Sequence, residues 1–525
     1  MMRTVFYVVS VVALLAVWLI ALAWPPFVWA LVIVVPLILV GFYDIHWSDH
    51  NVLRNYPVIG HLRYAFEFIS PEIRQYFVEN NEDGKPYNRI HRNLVYARAS
   101  GTVDTQPFGT QRDIMDVGFT RGSHSLAPRK VSRDEARIVV GGSECKQPYS
   151  ASRLNISAMS FGALSPTAIH ALNAGAKRGN FAHNTGEGGL SPYHLAGGGD
   201  IIFQIGTGYF SCRTPEGTFD EDKFIAIANR DVVKMIEIKL SQGAKPAHGG
   251  VLPAAKVDEE IARIRGVPVG KDVISPPAHT TFSSPEGLLE WVARLREVSN
   301  GKPVGFKLCV GRRHEFMGIV KAMLKTKILP DFITVDGAEG GTGAAPLEFT
   351  DRLGVPINEG LSFVHSCLVG ASLRDKLRLI ASAKVVTGFH MVEKLALGAD
   401  MCNMARPMLF ALGCIQAVRC NTNTCPTGIA TQDRQRAKAV DIESRQVRVA
   451  NFHDATVESF LDLVGAMGLE SPEQLTPDLI YQRVADETER TYNEIYPFLE
   501  PGELLGKDIN PVFAHHWQKA SAEAF

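Results

Sequence analysis

The chain has 525 residues, which is enough for a large buried core and too long for one small domain. Its formal net charge is −1 and its pI is about 7.0, so charge gives no reason to expect a nucleic-acid partner. Eight cysteines in a chain of this length are too sparse for the disulfide framework of a small secreted domain.

The N-terminal segment is apolar and predicts a helical membrane hairpin at residues 1–45. No Asp, Glu, Lys or Arg occurs from Thr4 to Tyr43, and two apolar runs, Val5–Ala23 and Phe27–Phe42, flank Trp24-Pro25-Pro26. A helix needs about 20 apolar residues to cross the bilayer hydrocarbon, so each run is just long enough. Because the two prolines prevent one continuous helix, we expect two spans joined by a tight turn, with residues 5–42 in the membrane.

A cleaved signal peptide is the alternative interpretation of this segment. The apolar run is too long for one, and a second run follows at once. Arg3 precedes the first span, while Arg54 and Arg63 follow the second. The positive-inside rule therefore predicts a two-pass membrane protein whose main body is cytoplasmic. Residues 46–150 form a mixed, polar stretch, which we interpret as a membrane-proximal collar with a structural role.

From about Leu154 onward, short apolar runs alternate with helical patterns. This alternation favours a parallel sheet wrapped by helices, and its length suits a (β/α)8 TIM barrel. An open doubly wound sheet is the alternative, but no G-x-G-x-x-G follows the first strand. The strand candidates are LNISAMS, DIIFQI, VVKMIEIKL, DVISPP, PVGFKLCV, DFITVDG, AKVVTG and ADMCNM. The helix candidates include Pro166–Arg178, Pro285–Val298, His314–Lys325 and Leu373–Ser382.

The predicted strand ends carry groups that suit a flavin. A cation near the isoalloxazine ring stabilises the anionic reduced flavin, and Lys307 lies in the apolar run PVGFKLCV, where it could supply that charge. The alternative for Lys307 is a buried structural ion pair with Asp or Glu. The candidate flavin-binding residues at strand ends are Ala158, Met159, Ser160, Asn184, Gln204 and Lys307.

Glycine-rich loops after the late strands predict a phosphate site. Backbone N–H groups in late barrel loops, helped by a helix N-terminus, bind phosphate in many TIM barrels. Arg406 could hold that phosphate as a bidentate donor. The residues expected here are Gly340, Gly341, Thr342, Gly343, Gly388, Ala405 and Arg406.

Three clustered cysteines, Cys414, Cys420 and Cys425, have the spacing C-x5-C-x4-C, and Pro426 follows the last. Thiolates hold iron–sulfur clusters, and a closing Cys-Pro recurs in such loops. A structural zinc site would need four ligands in matched pairs, which this segment lacks. Three ligands suggest a three-iron cluster, or a four-iron cluster with one outside ligand. The alternative is inert packing, which is our expectation for the other five cysteines.

Six strings extend these motifs into a family resemblance. They are SAMSFGALS, HNTGEGG, QGAKPAHGGVLPAAKV, DVISPPAHTTFSSPEGL, VDGAEGGTGAAP and CIQAVRCNTNTCPTGIATQ. Together, from about Ile156 to Asp433, they resemble the FMN-binding synthase domain of glutamate synthase. The resemblance implies a barrel at residues 151–433 that binds FMN, with the three cysteines holding a [3Fe-4S] cluster. It also implies an oxidoreductase of the class acting on CH–NH2 groups.

The implied reaction joins ammonia and 2-oxoglutarate to an imine, which hydride from reduced FMN converts to L-glutamate. The resemblance places Lys245 and Arg265 against the carboxylates of 2-oxoglutarate, and Glu187 completes the candidate catalytic set. The family pattern K-P-x-E-G-G-Q reads differently here, with His248 in place of the acidic residue and Val251 in place of the glutamine. Such a change can alter substrate preference.

Other departures from the family lie outside the barrel. The hairpin and collar take the place of the glutaminase domain, and residues 434–525 are expected to be a helical extension. Nitrogen would then come as free ammonia, as an amine or from a separate subunit. Without a dinucleotide fingerprint, electrons are expected from a separate donor, such as ferredoxin or a flavoprotein subunit. The alternatives are a membrane-associated electron-transfer subunit, or a reductive aminating enzyme for a different oxo acid or amine.

Overall fold

The computed structural model describes residues 2–525, which form two compact units, one ending at Ile90 and the other spanning His91–Phe525. The first unit is helical. Two stretches in it, Met2–Ala23 and Pro25–His46, are long and apolar enough to cross a membrane by length and composition. Core helices and signal sequences meet the same criteria.

The two apolar stretches pack against each other. The first helix ends at Ala23, and the short helical turn Pro25–Ala30 leads into the helix Leu31–His46. Gly41 lets them approach closely, since an added Cβ there would lie 2.2 Å from the ring of Phe6. The rest of the unit contains the helices Asn51–Asn55 and Gly60–Ile73, followed by the π-helical turn Arg74–Val78.

The second unit is built on a closed barrel of eight parallel strands, which confirms the predicted (β/α)8 fold. Neighbours pair in parallel in chain order, and β8 closes on β1 through Met404 and Ile156. The strands are β1 (Leu154–Ile156), β2 (His183–Asn184), β3 (Ile201–Ile205), β4 (Val233–Lys239), β5 (Val304–Leu308), β6 (Phe332–Asp336), β7 (Arg378–Ser382) and β8 (Met401–Met404).

Two predicted barrel strands were wrong. DVISPP contributes only Val273–Ile274, which pairs antiparallel with Val251–Leu252 outside the barrel. Ile274 is 65% exposed there, whereas a barrel strand is buried on both faces. AKVVTG is also not a strand; β7 lies just before it, inside the predicted helix Leu373–Ser382. A short apolar run cannot be assigned by periodicity alone, and pairing with β6 and β8 decides its conformation.

Helices follow the barrel strands and cover the outside. Ser165 caps the first of them, and Asn180 ends it in a left-handed conformation. The helices between β1 and the end of the barrel are Pro166–Gly179, Pro192–Ala196, Glu221–Ala228, Glu259–Arg265, Pro285–Val298, Arg313–Thr326, Leu347–Arg352, Ile357–Gly370, Gly388–Ala396 and Arg406–Leu412.

A β-hairpin closes the N-terminal end of the barrel. Its strands, Arg137–Val140 and Tyr149–Ser152, place Ile138, Val140 and Tyr149 in one buried cluster with residues of the barrel interior. This apolar plug leaves the opposite, C-terminal end for polar groups, as is usual in this fold.

The C-terminal segment is largely helical. The helix Ile442–Ala466 packs on Pro166–Gly179, and Gly175 permits close contact because an added Cβ would lie 2.7 Å from Val449. Two strands, Ile480–Ala485 and Thr488–Thr491, form a small antiparallel sheet with Thr120–Gly122. The last helix is Pro511–Lys519.

Candidate functional site

A buried carboxylate organises the polar layer inside the barrel. Glu237 on β4 is 1% exposed and accepts hydrogen bonds from Asn184 Nδ2 (2.8 Å), Gln204 Nε2 (2.6 Å) and Thr334 Oγ1 (2.6 Å). Two of the predicted flavin-binding residues, Asn184 and Gln204, are thus held by one anion. Their amide orientations are set before any ligand binds, because both NH2 groups point at Glu237.

Lys307 on β5 points into the same region. Its Nζ lies 3.1 Å from Asp336 Oδ2 at the end of β6, and both side chains are buried. Burial opposes the charge on Lys307, but Asp336 and Glu237 together raise its pKa, so the ammonium stays protonated. Lys307 therefore has the ion pair expected of a structural residue and also carries a permanent charge at the mouth of the barrel.

A second ion pair lies at the end of β4. Lys239 Nζ is 2.7 Å from Glu187 Oε1 and also donates to Gln242 Oε1 at 2.6 Å. Burial works against the charge on Glu187, yet Lys239, Lys245 and Arg265 lower its pKa. Lys239 was not among the residues predicted from sequence. The available signal was a lysine at the end of the apolar run VVKMIEIKL, where a charged side chain needs a partner.

The two predicted cations converge on Glu187. Lys245 is 3% exposed and donates to Ala344 O at 2.8 Å; burial, with repulsion from Lys239, lowers its pKa to about 8. Arg265 is 5% exposed, and burial lowers its pKa to about 10, although Glu187 acts in the opposite direction. Lys245, Arg265 and Glu187, the residues of the predicted catalytic set, therefore lie close enough to influence one another's charge.

Arg265 is held against the ends of β1 and β2. Its Nη2 donates to Phe161 O at 3.0 Å, and its guanidinium lies 5.0 Å from the centre of the Phe210 ring. Gly188 leaves room for it, because an added Cβ would lie 2.7 Å from Nη2. The Nε of Arg265 is buried without a hydrogen-bond partner, and an unpaired buried donor of this kind is unfavourable unless a ligand satisfies it.

A small, narrow cleft opens beside this cluster. It is lined by Glu187, Lys239 and His248, among others, so His248 contributes to its wall. The His248 ring stands edge-on to Phe349 at 5.0 Å, and its Nδ1 contacts Gly249 O at 2.9 Å. Val251 begins the two-residue strand paired with Ile274.

The predicted residues at the end of β1 lie beside β2. Met159 N donates to Asn184 O at 3.0 Å, and Gly186 N donates to Asn184 Oδ1 at 2.9 Å. Gly186 adopts φ +64°, and an added Cβ there would lie 3.0 Å from Ser160 N. The backbone of residues 158–160 is thereby placed at the mouth of the barrel next to Asn184.

Arg406 connects the glycine-rich loop after β6 to the cysteine segment. It donates from Nη2 to Thr342 O and from Nη1 to Cys420 Sγ, the latter at 3.4 Å. Gly341 lies against it, since an added Cβ would be 3.2 Å from Arg406 Nε. Gly388 serves packing too, because a Cβ there would lie 2.6 Å from Phe460 N in the helix Ile442–Ala466.

The remaining phosphate-site residues lie around this arginine. Gly340 N donates to Gly337 O at 2.8 Å, and Thr342 Oγ1 donates to Ala344 O at 3.2 Å. A Cβ added at Gly343 would lie 4.0 Å from the Cβ of Ala163. Ala405 immediately precedes the helix Arg406–Leu412. The structure brings these loops to one end of the barrel.

Each of the three clustered cysteines has a sulfur that accepts a hydrogen bond or lies beside a polar group. Cys414 Sγ accepts from Gln416 N at 3.5 Å, Cys420 Sγ accepts from Arg406, and Cys425 Sγ lies 3.4 Å from Thr427 Oγ1. Burial raises the pKa of Cys414 to about 11. For Cys425 burial acts the same way, but hydrogen bonds from Thr427 and from three backbone N–H groups lower the pKa overall.

Lys256 braces the cysteine segment. Its buried Nζ donates to Cys420 O (2.7 Å), Ala430 O (2.9 Å) and Ala163 O (3.0 Å), and burial lowers its pKa to about 8. Lys256 was also not among the residues predicted from sequence, although it is the second lysine of the string QGAKPAHGGVLPAAKV. Within residues 2–525, no three His, Cys, Asp or Glu side chains are arranged closely enough to hold a metal ion.

Comparison with known proteins identifies the family. A family profile for the conserved region in glutamate synthase matches residues 117–470. The glutamate synthase large subunit-like protein YerD of Bacillus subtilis (strain 168) is 37% identical over 498 residues, covering 87% of this chain and 94% of that protein. The archaeal glutamate synthase [NADPH] of Archaeoglobus fulgidus is 34% identical over 321 residues, covering 61% of this chain and 59% of that protein.

Among solved structures, a mutant flavocytochrome b2 with pyruvate bound aligns over 85% of this chain and 92% of its own, with 15% identity and a TM-score of 0.42. Barrel and site together define a TIM-barrel protein with a buried polar mouth. The chain belongs to the glutamate synthase family, by its match to the conserved region over 117–470. It spans nearly all of the Bacillus relative and about three fifths of the archaeal one.

Proposed function

We propose that the chain is an FMN- and iron–sulfur-dependent oxidoreductase that reduces the imine of 2-oxoglutarate and ammonia to L-glutamate. The observation that carries the proposal is the buried cluster of Lys239, Lys245 and Arg265 around the single carboxylate of Glu187. Three cations and one anion leave a net charge of two positive units, which matches a dianionic oxo acid. Burying such a surplus is unfavourable in the absence of an anion.

Binding of the oxo acid would use the two outer cations. Arg265 has an unpaired buried Nε and can engage one carboxylate, while Lys245 can engage the other. Glu187, kept ionised by its three neighbours, orients Lys239 and can accept a hydrogen bond from the nitrogen substrate. Lys245, with a pKa of about 8, can exchange a proton with the substrate nitrogen near neutral pH.

FMN fits the residues at the mouth of the barrel. Asn184 and Gln204 offer amides aligned by Glu237, and Lys307 offers a permanent charge for the isoalloxazine edge. The backbone of Ala158, Met159 and Ser160 would line the ring, and the phosphate would be held by Gly340, Gly341, Thr342, Gly343, Gly388, Ala405 and Arg406. When bound and reduced, FMN would supply the hydride for the imine carbon.

We propose Cys414, Cys420 and Cys425 as the three ligands of a [3Fe-4S] cluster. The hydrogen bonds to these sulfurs from Gln416 N, from Arg406 and from the backbone after Cys425 are the kind that stabilise thiolates. Arg406 touches both the cysteine segment and the glycine-rich loop, so the cluster and the flavin phosphate would lie on two sides of one side chain.

The hairpin would anchor the enzyme as a two-pass membrane protein with its barrel in the cytoplasm. Support comes from two apolar stretches of membrane-spanning length and from the arginines that flank them. Electrons would come from a separate donor such as ferredoxin or a flavoprotein subunit. Nitrogen would arrive as free ammonia or from another subunit.

The test uses the full-length protein purified in detergent, with FMN bound and reduced by dithionite without oxygen. Addition of 2-oxoglutarate and ammonia should reoxidise the flavin and form one glutamate per flavin. Succinate, which has the same two carboxylates but no oxo group, is the matched control and should not reoxidise it. Flavin that stays reduced with 2-oxoglutarate and ammonia would refute the proposed substrates.

A second candidate is reductive amination of a different oxo acid or amine. His248 and Val251 favour it, because the cleft wall carries an imidazole and an aliphatic residue where the family pattern has an acid and an amide. Val251→Gln should then raise kcat/KM for 2-oxoglutarate relative to kcat/KM for shorter oxo acids. If wild type already prefers 2-oxoglutarate and Val251→Gln changes nothing, this candidate is eliminated.

A further inference from the structure

The helix Gly60–Ile73 and the π-helical turn Arg74–Val78 carry a continuous apolar stripe on their surface. At 100° per residue, its members fall within one face of the helix. They are all exposed, by 41% to 85%: Leu62, Phe66, Ile69, Ile73, Tyr76 and Phe77. The stripe contains no charged residue. Large exposed apolar stripes are uncommon in soluble proteins and usually mark a contact surface.

The first turn of this helix is tied to the end of the second apolar stretch. Asp44, which is fully buried, accepts a hydrogen bond from Val58 N at 2.8 Å and lies 2.9 Å from His61 Nε2 through its Oδ1. Asp44 lies in the last turn of the helix Leu31–His46. The amphipathic helix therefore begins at the level where the predicted hairpin leaves the hydrocarbon.

Other polar contacts and exposed aromatic side chains occur at the same end of the hairpin. Arg3 Nε donates to Arg54 O at 2.6 Å, which joins the start of the hairpin to the short helix Asn51–Asn55. Trp47 and Tyr43 are 67% and 59% exposed beside Asp44, as aromatic residues at a membrane interface are. The hydrogen-bonded polar groups and the aromatic side chains thus lie together at the open end of the hairpin, as they do at a membrane interface.

We propose that the apolar stripe of residues 60–78 lies in the membrane interface, as a helix parallel to the bilayer surface. This inference rests on the proposed insertion of the hairpin. The helix Gly60–Ile73 has 14 residues and is about 21 Å long at 1.5 Å per residue, so it lies flat rather than spanning the membrane. Charged residues flank the stripe on one side, where Arg63 and Glu67 form an ion pair of 2.8 Å.

We favour lipid over another protein as the occupant, because the helix is joined through Asp44 directly to the end of a hairpin whose apolar side chains are themselves exposed. Acyl chains near the headgroups would cover Phe66 and Ile69, while the Arg63–Glu67 pair stays in water. The segment predicted from sequence to be a polar collar would therefore form part of the membrane attachment, and it would hold the hairpin's open end against the surface.

The experiment is tryptophan quenching in liposomes that contain the full-length protein and brominated phosphatidylcholine. The probes are Phe66→Trp and Ile69→Trp in the stripe, and Phe68→Trp as the matched control, since Phe68 is 67% exposed on another face. Trp18 and Trp29 of the hairpin serve as internal probes for insertion. Bromines are placed either near the headgroup or near the chain end, to measure depth.

If the stripe is inserted, bromines near the headgroup should quench the fluorescence of the new tryptophan in Phe66→Trp and in Ile69→Trp. This quenching should be about twofold stronger than the quenching of the new tryptophan in Phe68→Trp. If the native tryptophans are quenched but the three added ones are quenched equally weakly, the stripe proposal is wrong and the hairpin proposal stands. If the native tryptophans are not quenched at all, the hairpin is not inserted, and both proposals fail.

Discussion

Lys239 at the end of β4 and Glu187 in the loop after β2 form a buried ion pair with an Nζ–Oε1 distance of 2.7 Å. Glu187 is also the carboxylate that acts on Lys245 and on Arg265, so these two cations share a partner that Lys239 already engages. The site is consequently short of negative charge. A doubly charged oxo acid would correct this shortage.

Replacing Arg265 by Gln should weaken oxo-acid binding without removing the flavin. A hydrogen bond to a charged group contributes about 1.5–3 kcal/mol, so we expect KM for 2-oxoglutarate to rise about 10- to 100-fold. Arg263 lies on the same helix with its side chain exposed, and Arg263→Gln is the matched control. Steady-state kinetics on both variants make the comparison; equal KM values would show that Arg265 does not meet substrate.

Binding of the oxo acid should weaken as pH rises above about 8. Lys245 has a pKa lowered by burial to about 8, so its ammonium is present below that pH and lost above it. The affinity of oxidised enzyme for 2-oxoglutarate, measured without ammonia, should fall by up to about tenfold per pH unit there. Lys245→Arg keeps its charge and should remove this dependence. An affinity of the wild type that stays constant through this range would contradict the assignment.

Iron content should depend on three cysteines and not on the others. Cys414→Ser, Cys420→Ser and Cys425→Ser should each lose most of the bound iron, because a three-thiolate site has no spare ligand. Cys367→Ser replaces a fully buried cysteine outside the segment that contains these three, and this variant should keep the wild-type amount of iron. Iron per chain and the low-temperature EPR spectrum measure the outcome. Full iron content in any of the three variants would exclude that residue as a ligand.

Lys307→Met should destabilise the barrel, since it leaves Asp336 and Glu237 buried without their cation. Breaking a buried pair costs about 3–5 kcal/mol, and Lys307→Met with Asp336→Asn should recover part of that loss. Arg294→Met breaks the exposed pair with Glu221 and should change little. Denaturation midpoints in detergent give the comparison. If Lys307→Met behaves like Arg294→Met, the ion pair has no structural importance.

The barrel could be predicted from sequence because most of its strands are short apolar runs with clear breaks. The failures have physical causes. The strand His183–Asn184 has only two residues and was not among the strand candidates, although Asn184 was expected at a strand end. β7 reads as a continuation of a helical pattern until its pairing partners are known. DVISPP has strand composition but an exposed Ile274, which only the tertiary structure reveals.

The site was predicted less completely than the fold. The family resemblance predicted Lys245, Arg265 and Glu187, which lie near one another in the structure. It did not predict Lys239 or Lys256. Both missed lysines work through partners more than fifty residues away in the chain, Glu187 for Lys239 and Cys420 for Lys256. Sequence spacing carries no sign of such contacts, because only closure of the barrel brings the strands together.

The site proposed here reduces the imine of an oxo acid with electrons from bound flavin. Its most direct test is single-turnover reoxidation of the reduced, full-length protein by 2-oxoglutarate and 15N-ammonia, with product analysed by mass spectrometry. We predict full flavin reoxidation and one 15N-labelled glutamate per flavin. Flavin that remains reduced with 2-oxoglutarate and with every other oxo acid tested, while FMN and iron stay bound, would contradict the claim.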